Sequence, residues 1–453
     1  MPLHVIVLAA GQGKRMHSSL PKVLHPLAGR PLLAHVLDTA RTLGAQGIVV
    51  VHGHGGEAVR GNFPGDDLRW VEQPRQLGTG HAVAQALPAV PGEATVLVLN
   101  GDVPLVPGEM LARLLDAGRG GLAIATCDLG DASGYGRVVR DGSGKVRRIV
   151  EHKDASAQEL AISEWYAGFL VAPARSLARW IKGLTSDNAQ KEYYLTDVIG
   201  LAVADGVEVQ TVKARDRWDV AGVNSKRELV ALERELQRRA AERLLEAGVT
   251  LADPARIDVR GSLECGRDVS IDLNCVFEGT VRIGDGVRIG PNCVLRDVTV
   301  AEGSEILGFC FLQEAEVGAR CRIGPFARLR PGASLAQDVH IGNFVEVKAS
   351  RIGAGSKANH LSYIGDSQVG ARVNVGAGTI TCNYDGASKQ RTVIEDDCFI
   401  GSDATLVAPV TIARGSYIGA GSTISKDTPP DQLTVARARQ VSLPGWKPPR
   451  RKG

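Results

Sequence analysis

Val281-Arg-Ile-Gly-Asp-Gly-Val-Arg-Ile-Gly290 sets an aliphatic residue before glycine twice, six residues apart. The pair returns as Val317-Gly318 and Ile323-Gly324, then three periods later as Ile341-Gly342, and again as Ile400-Gly401 and Ile418-Gly419. A six-residue period is too short for a helical repeat and is that of a hexapeptide parallel β-helix. Each hexad makes one short strand and one turn; its aliphatic residue enters a shared column and its glycine permits the corner backbone. One rung cannot bury its apolar face alone, so rungs must stack. A glycine-rich linker would not hold Ile and Val in phase. Between Ile341 and Val375 the period slips, with steps of eleven, twelve, five and six. Slips and loops in a repeat mark its binding face.

The 453 residues suffice for two or three domains. A hydrophobic fraction of 44% and a charged fraction of 23% are those of a globular protein, and 4% aromatics suit a solenoid filled with small aliphatics. A net charge of +3 says little about partners and does not suggest general nucleic-acid binding. The basic run Lys447-Pro-Pro-Arg-Arg-Lys452 reads as a solvated end. Of eight cysteines, all but Cys127 lie in the repeat region, six of them Cys265, Cys275, Cys293, Cys310, Cys321 and Cys398, with no CxxC pair. They read as small packing residues of a chain kept in a reducing cytoplasm, not as a disulfide frame or zinc site. Met1-Pro-Leu-His runs straight into a strand, so no signal peptide is expected. No apolar run approaches the ~18 residues that span a bilayer.

Before the repeat, strand-like and helical segments alternate. Strands are expected at residues 4–9, 47–51, 95–100, 122–126, 167–171 and 207–212, and helices at 32–43, 79–87, 109–116, 176–183 and 195–204. This pattern predicts a Rossmann-like α/β domain with a mainly parallel sheet, covered on both faces. Residues 136–140 and 145–150 read as a hairpin around Asp141-Gly142. Ser225-Lys-Arg-Glu228 is a capping-box sequence opening a charged helix over 226–247, whose Leu229, Leu232, Leu236, Ala240 and Leu244 share a face. The expected organisation is an α/β domain over 1–224, a linker helix over 225–248, the β-helix over 249–427 and a tail over 428–453.

Leu8-Ala-Ala-Gly-Gln-Gly-Lys-Arg-Met16 lies where the first strand meets a loop. It has neither P-loop nor dinucleotide-fold spacing. Its glycines still let backbone N–H groups approach a phosphate, with Lys14, Arg15 and Lys22 supplying charge. Ligands of open α/β sheets gather outside the carboxyl ends of the strands, where Asp102 falls. A hard carboxylate there is a candidate Mg²⁺ ligand, with phosphates completing the shell.

These motifs resemble the nucleotidyltransferases that make nucleoside-diphosphate sugars, with Lys14 where Thr is usual. Further motifs are Gln73 with Gly78-Thr79-Gly80-His81-Ala82, Gly134-Tyr-Gly-Arg137, Ile149-Val-Glu-His-Lys-Asp-Ala155, Glu192-Tyr-Tyr-Leu-Thr-Asp197 and Gly222-Val-Asn224. Together they are similar to the bifunctional N-acetylglucosamine-1-phosphate uridyltransferase / glucosamine-1-phosphate N-acetyltransferase family over essentially the whole chain. The resemblance implies an α/β nucleotidyltransferase domain joined by a long helix to a left-handed parallel β-helix that forms a homotrimer. It implies two reactions: acetylation of glucosamine 1-phosphate by acetyl-CoA, then UMP transfer from UTP to N-acetylglucosamine 1-phosphate. Leu8, Ala9, Ala10 and Gly11 would border the nucleotide, Arg15 and Lys22 its phosphates, and Gln73, Gly78 and Thr79 the uracil. Asp102 and Asn224 would hold Mg²⁺, and Gly136, Glu151 and Tyr194 would face the sugar. Tyr166-Ala167-Gly168 stands where the family usually shows Asn-Thr-Gly; the tyrosine can still donate a hydrogen bond but is bulkier.

In the slipped part of the repeat, His360, Tyr363, Asn374 and Asn383-Tyr384 crowd together beyond any need of a regular solenoid. Histidine is the natural general base near neutral pH, and a carboxylate such as Glu346 could fix its tautomer. The resemblance implies that His360 deprotonates the amine and Glu346 orients His360. Arg330, Lys348, Tyr363 and Asn374 would bind glucosamine 1-phosphate, and Ala377, Asn383, Tyr384, Ser402, Ala420 and Arg437 would contact acetyl-CoA. Two rivals remain at this stage. One is a nucleotidyltransferase of another sugar with an oligomerising solenoid; the other is a scaffold protein without turnover.

Overall fold

The computed structural model describes residues 2–447. The chain divides into two compact units, one ending at Leu236 and the next beginning at Gln237.

The first unit is built on a mixed sheet. Its strands are β1 (Leu3–Leu8), β2 (Gly47–His52), β3 (Leu68–Glu72), β4 (Thr95–Asn100), β5 (Leu122–Cys127), β6 (Arg137–Arg140), β7 (Val146–Val150), β8 (Trp165–Pro173) and β9 (Val209–Lys213). The order is β9-β5-β8-β4-β1-β2-β3, with β6 and β7 as a hairpin off β8. The pairs β1–β4, β1–β2, β2–β3 and β5–β9 are parallel, as the alternating pattern predicts. β8 is the exception, running antiparallel to both β4 and β5. The chain returns from β5 through the β6–β7 hairpin rather than a crossover helix, so the reversed direction is available. Strand β3, an edge strand, was not legible as an apolar run.

Helices α1 (Leu32–Thr42), α2 (Thr79–Ala86), α3 (Gly108–Ala117), α4 (Ala174–Lys182) and α5 (Asp197–Ala204) cover the sheet. Successive residues of a strand serve opposite faces. Accordingly Val5 and Val7 pack in one core with Leu33, Leu37 and Leu111, and Ile6 packs in the other with Val83 and Val198.

Helix α6 (Lys226–Glu246) passes through the boundary between the units. Leu232 packs on Met16, Leu27 and Val223 in the first unit, while Ala241 and Leu244 join the solenoid core. Its start differs from a reciprocal capping box. Ser225 Oγ accepts from Glu228 N at 3.3 Å, but the Glu228 carboxylate accepts from Asn224 N at 2.6 Å, one residue earlier than expected.

The second unit is a parallel β-helix whose long core is formed by the hexad aliphatics. Ile289, Ile306, Ile323, Ile341, Ala358 and Val375 stack in one column through successive parallel pairs. These pairings fall 17 or 18 residues apart, and the shorter turns also occur at Ile289–Ile306 and Ile306–Ile323, outside the slipped segment. A turn can therefore lose one corner residue and keep strand register, so the slip alone does not mark the site. The true interruption is the pairing of Val375 with Ile400, which spans an excursion at 383–390. There Tyr384 bridges to Lys389 and Gln390 N donates to Asn383 O at 2.8 Å.

The cysteines are free thiols, five of those in the repeat fully buried. Cys275 and Cys293 donate to carbonyls of the next turn, at 3.2 and 3.1 Å, as Ser304 and Ser356 do at 2.8 and 2.7 Å. Burial pushes the Cys275 thiol up to about 11. The solenoid continues past residue 427: Leu433–Thr434 pairs with Tyr417–Ile418, so the last rung includes the residues after Pro430. Beyond Lys447 the basic run lies outside the described residues.

Candidate active sites

In the first unit β1 and β4 end side by side, with Leu8 in register with Asn100. Gly101 N donates to Leu8 O at 2.9 Å, and Ala9 N to Val51 O at 2.8 Å, so both strands hand over to loops at one level. A cleft opens here with two lobes that share Leu8, Thr79, Asn100, Asp102, Gly134 and Asn224. The larger lobe, about 780 Å³, is walled by Leu8, Ala9, Ala10, Gly11, Gln12, Lys14, Lys22, Gln73, Gln76 and Gly78. The smaller, about 210 Å³, is walled by Gly136, Glu151, Tyr166, Ala167, Gly168 and Thr196.

Two glycines make the larger lobe possible. Gly13 has φ +62°, and a Cβ there would lie 2.7 Å from Lys22 Cβ. Gly78 has φ +104°, and a Cβ would meet Tyr193 O at 2.6 Å. The buried Gln73 uses Nε2 on Gly78 O and on His81 Nδ1, both at 3.0 Å, and so holds the loop that opens α2. At the floor the Lys22 ammonium touches the Asp102 carboxylate and lies 3.2 Å from Asn224 Oδ1. Two hard oxygens thus already converge on a cation. One carboxylate and one amide oxygen, with phosphates to complete the shell, fit Mg²⁺. No group of three or more His, Cys, Asp or Glu that could hold a metal occurs among the described residues.

In the smaller lobe burial raises the Glu151 carboxyl above the usual range, although Thr196 Oγ1 donates to it at 2.8 Å. Tyr166 is buried, and its hydroxyl has no hydrogen-bond partner among the described residues. Two expected residues stand elsewhere. Tyr194 lines neither lobe; its hydroxyl donates to Asp154 Oδ2 at 3.1 Å. Arg15 is exposed and outside the lining, where Lys14 takes its place. The reason is the short turn at Lys14–Met16, which buries Met16 and turns Arg15 outward. Gln12, Gln76, Asn100 and Thr196 were not singled out; Gln12 and Thr196 lie inside quoted motifs, while nothing in the local sequence distinguishes Gln76 and Asn100 from loop and strand-end residues.

On the solenoid, Arg330, Lys348, Tyr363 and Asn383 come together on successive turns. Glu346 registers with Tyr363, and Lys348 with Gly365. Lys348 Nζ is 3.0 Å from Asp366, whose carboxylate also receives the Asn383 amide; that amide lies 3.4 Å from the Tyr363 hydroxyl. Lys389, from the excursion, meets Lys348, which pushes its ammonium below the usual lysine value. Asp366 and Lys389 were not legible as site residues. Tyr384 is exposed on the excursion, its hydroxyl donating to Gly386 O at 2.6 Å.

His360 departs from expectation. Its Nδ1 is 2.7 Å from Asn343 Oδ1, on the strand directly before it in the stack. Glu346 instead pairs with Arg330 at 2.8 Å and Arg328 at 3.7 Å. His360 and Glu346 sit on strands of different sheets, separated by a corner, and Asn374 belongs to the sheet of His360. Ala377, Ser402 and Ala420 form a ladder: Asp403 N donates to Ala377 O at 2.7 Å and Gly421 N to Ser402 O at 2.8 Å. Arg437 Nη1 closes it on Ala420 O at 2.6 Å.

Comparisons with known proteins agree with this division. Residues 5–194 match the MobA-like NTP transferase domain, 259–352 the GMPPB C-terminal domain, and 391–426 the bacterial transferase hexapeptide (six repeats). The bifunctional protein GlmU of Chromobacterium violaceum is 58% identical, with 99% of each chain covered. Its counterpart in Azoarcus sp. (strain BH72) is 59% identical and that in Cupriavidus pinatubonensis 57%, again over 99% of each chain. A nucleotidyltransferase-type cleft and a hexapeptide solenoid in one chain, matched end to end at this identity, make the chain a member of the GlmU family of bifunctional proteins.

Proposed function

We propose that the chain makes UDP-N-acetylglucosamine, acetylating glucosamine 1-phosphate with acetyl-CoA on the solenoid and transferring UMP from UTP in the α/β cleft. Residues 1–224 are assigned to uridylyl transfer and the solenoid, from 249 through its last rung at Leu433–Thr434, to acetyl transfer, with α6 as the link. The observation that carries the reading is the cleft floor, where Lys22, Asp102 and Asn224 meet at the point shared by a nucleotide-sized lobe and a sugar-sized lobe.

UTP fits the larger lobe, with Gly11 and the glycine loop against its phosphates and Gln73, Gly78 and Thr79 around the base. A phosphate oxygen of N-acetylglucosamine 1-phosphate attacks the α-phosphorus, and pyrophosphate leaves. Lys22 and Lys14 stabilise the charge, and the lobes align the partners. Asp102 and Asn224 would hold Mg²⁺, which when bound supplies neutralisation of the triphosphate.

On the solenoid, Arg330, Lys348 and Lys389 form a cationic group suited to a sugar phosphate, and an anion between them would relieve the Lys348–Lys389 contact. His360 donates Nδ1–H to Asn343 and so presents Nε2 as base. It takes a proton from the glucosamine amine, which attacks the acetyl-CoA thioester and expels the CoA thiolate. The ladder of Ala377, Ser402 and Ala420 leaves only small side chains along a surface a long cofactor could follow.

A homotrimer is part of the proposal. Its support is an exposed stripe of Phe309, Phe326, Phe344 and Leu361, the three rings stacked at 5.0 and 5.2 Å. An apolar stripe of this kind marks an interaction surface. The free thiols favour the cytoplasm, and no described helix is long and apolar enough to cross a membrane.

Mass spectrometry of products from glucosamine 1-phosphate, acetyl-CoA, UTP and Mg²⁺ tests the scheme. Asp102→Ala should abolish UTP turnover and spare acetylation, and His360→Ala should do the reverse. Equal loss of both activities in folded variants would refute two separate sites.

A further inference from the structure

Arg137 is a cation placed where the fold does not need one. It opens β6 and is 3% exposed. Its backbone is pinned on both sides, opposite Val150 of β7 and Trp165 of β8. The guanidinium turns back on the chain: Nη1 donates to Ala132 O and to Tyr135 O, both at 2.6 Å. Among the described residues it forms no ion pair, and its Nε has no partner. A buried charge without a counter-ion destabilises the fold that holds it. Such a departure from good packing is expected where function sets the local shape. The segment it clamps has that character. Tyr135 N closes a turn on Ala132 O at 3.1 Å, with Gly134 at φ +84° inside it. Gly134 lines both lobes of the cleft, and Tyr135 and Gly136 line the smaller one.

Tyr135 carries the clamp further. Its ring packs on Trp165, with centroids 4.1 Å apart. Burial raises its phenol, and the hydrogen bond that its hydroxyl forms with the Gly222 backbone works the other way. Gly222 opens the segment that ends in Asn224, and both line the smaller lobe. Val223 N donates to Asp102 O at 3.0 Å, and Asn224 Oδ1 meets Lys22 at 3.2 Å. A chain of contacts thus runs from a fixed strand end to the cleft floor. We propose that Arg137 and Tyr135 are positioning residues for UMP transfer: the guanidinium fixes the Ala132–Gly136 turn, and the Tyr135 hydroxyl passes that position through Gly222 to Asn224. This rests on the reading of the cleft as the uridylyl-transfer site.

The test compares Tyr135→Phe, Arg137→Met and the double variant in the full chain. Each is measured for uridylyl-transfer kcat and KM, acetyl-transfer kcat and thermal unfolding midpoint. Tyr135→Phe keeps the ring on Trp165 and deletes only the contact to Gly222. It should lower uridylyl kcat about tenfold, one hydrogen bond's worth. Arg137→Met should lower it by a similar factor. The double variant should also lose about tenfold, not about a hundredfold, because both changes cut one relay. The KM for UTP should hold, since Gln73 and Gly78 are fastened to each other and to His81. Acetyl transfer should hold as well. Arg137→Lys, which keeps a donor inside the turn, should recover part of the loss. Losses that multiply in the double variant overturn the proposal. So does full kcat in Tyr135→Phe, a result that decides even where Arg137→Met fails to fold. A lower midpoint with unchanged kcat per folded molecule would make the pair structural only and overturns it too. Failure of the site reading shows differently: the wild-type chain itself would transfer UMP to no sugar 1-phosphate.

Discussion

Replacing Asn343 by alanine removes the oxygen that meets His360 Nδ1 at 2.7 Å. The consequence follows from tautomerism. With Nδ1–H donated to the amide oxygen, the lone pair is on Nε2 and the ring plane is fixed; without it both tautomers and other rotamers compete. His360 is exposed, so the bond is partly open to water and contributes about 1 kcal/mol. At about 1.4 kcal/mol per decade that is roughly a fivefold loss of acetyl-transfer kcat. The KM for glucosamine 1-phosphate should change little, and uridylyl transfer by the same preparation should not change. Glu346→Gln supplies the contrast. Glu346 holds Arg330 at 2.8 Å and does not touch His360, so its loss should free Arg330 and appear in the KM for the sugar phosphate. The kinetic split separates the two roles: Asn343→Ala should lower kcat, and Glu346→Gln should raise the KM for the sugar phosphate. If Asn343→Ala kept full kcat while Glu346→Gln lost it, a carboxylate would orient the base and the assignment to Asn343 would be wrong.

Glu151→Gln tests the sugar lobe through stability. Burial raises this carboxyl in the folded chain, so the folded state binds its proton more tightly than the unfolded state does. Its favourable contribution is complete below the unfolded value and is lost as pH rises through the folded one. The variant should therefore unfold at higher temperature than wild type near neutral pH, with the gap closing on acidification; a constant gap would exclude this cause. Gly13→Ala puts a side chain at φ +62° against Lys22 and should cost about 1–2 kcal/mol of loop strain. The expected readout is a raised KM for UTP with the KM for the sugar phosphate held. Ile323→Ala empties a fully buried site of the solenoid column and should cost about 2–5 kcal/mol. Loss of acetyl transfer at lower urea than wild type, with uridylyl transfer persisting, would check it.

What could be read from the sequence depended on how local its cause was. Hexads are local: Ile283, Ile289 and Ile323 declare themselves by period, and the structure buries each one. Strand ends with short motifs are nearly as plain, so Asp102, Lys22, Gly78 and Asn224 all reach one cleft. Contacts between turns are not local. Asn343 and Glu346 are three residues apart, and either could be imagined beside His360. The corner at Phe344 and Val345 decides, placing Asn343 on the sheet of His360 and Glu346 on the next. Lys389 was hidden for another reason: it sits in an excursion whose fold back onto Lys348 no periodicity describes. The direction of β8 was hidden likewise, because hydrophobic runs do not record strand sense.

The two sites differ in what they need from outside the chain. The cleft of the first unit draws all its lining residues from one α/β unit, with Lys22 meeting Asp102 and Asn224 at its floor. The solenoid site is open. His360 is exposed, Tyr384 is 61% exposed, and the Ala377–Ser402–Ala420 ladder is a surface rather than a cavity. Electrostatic stabilisation of an acyl-transfer transition state is strong only where water is excluded. The Phe309–Phe326–Phe344–Leu361 stripe runs to the residue next to His360, so whatever covers the stripe also approaches the base. The proposed trimer thus has a chemical consequence beyond assembly. Phe344→Glu, which puts a charge into the stripe without touching His360, should lower acetyl transfer and the sedimentation coefficient together while uridylyl transfer persists. A monomeric variant with full acetyl transfer would show that the open face suffices.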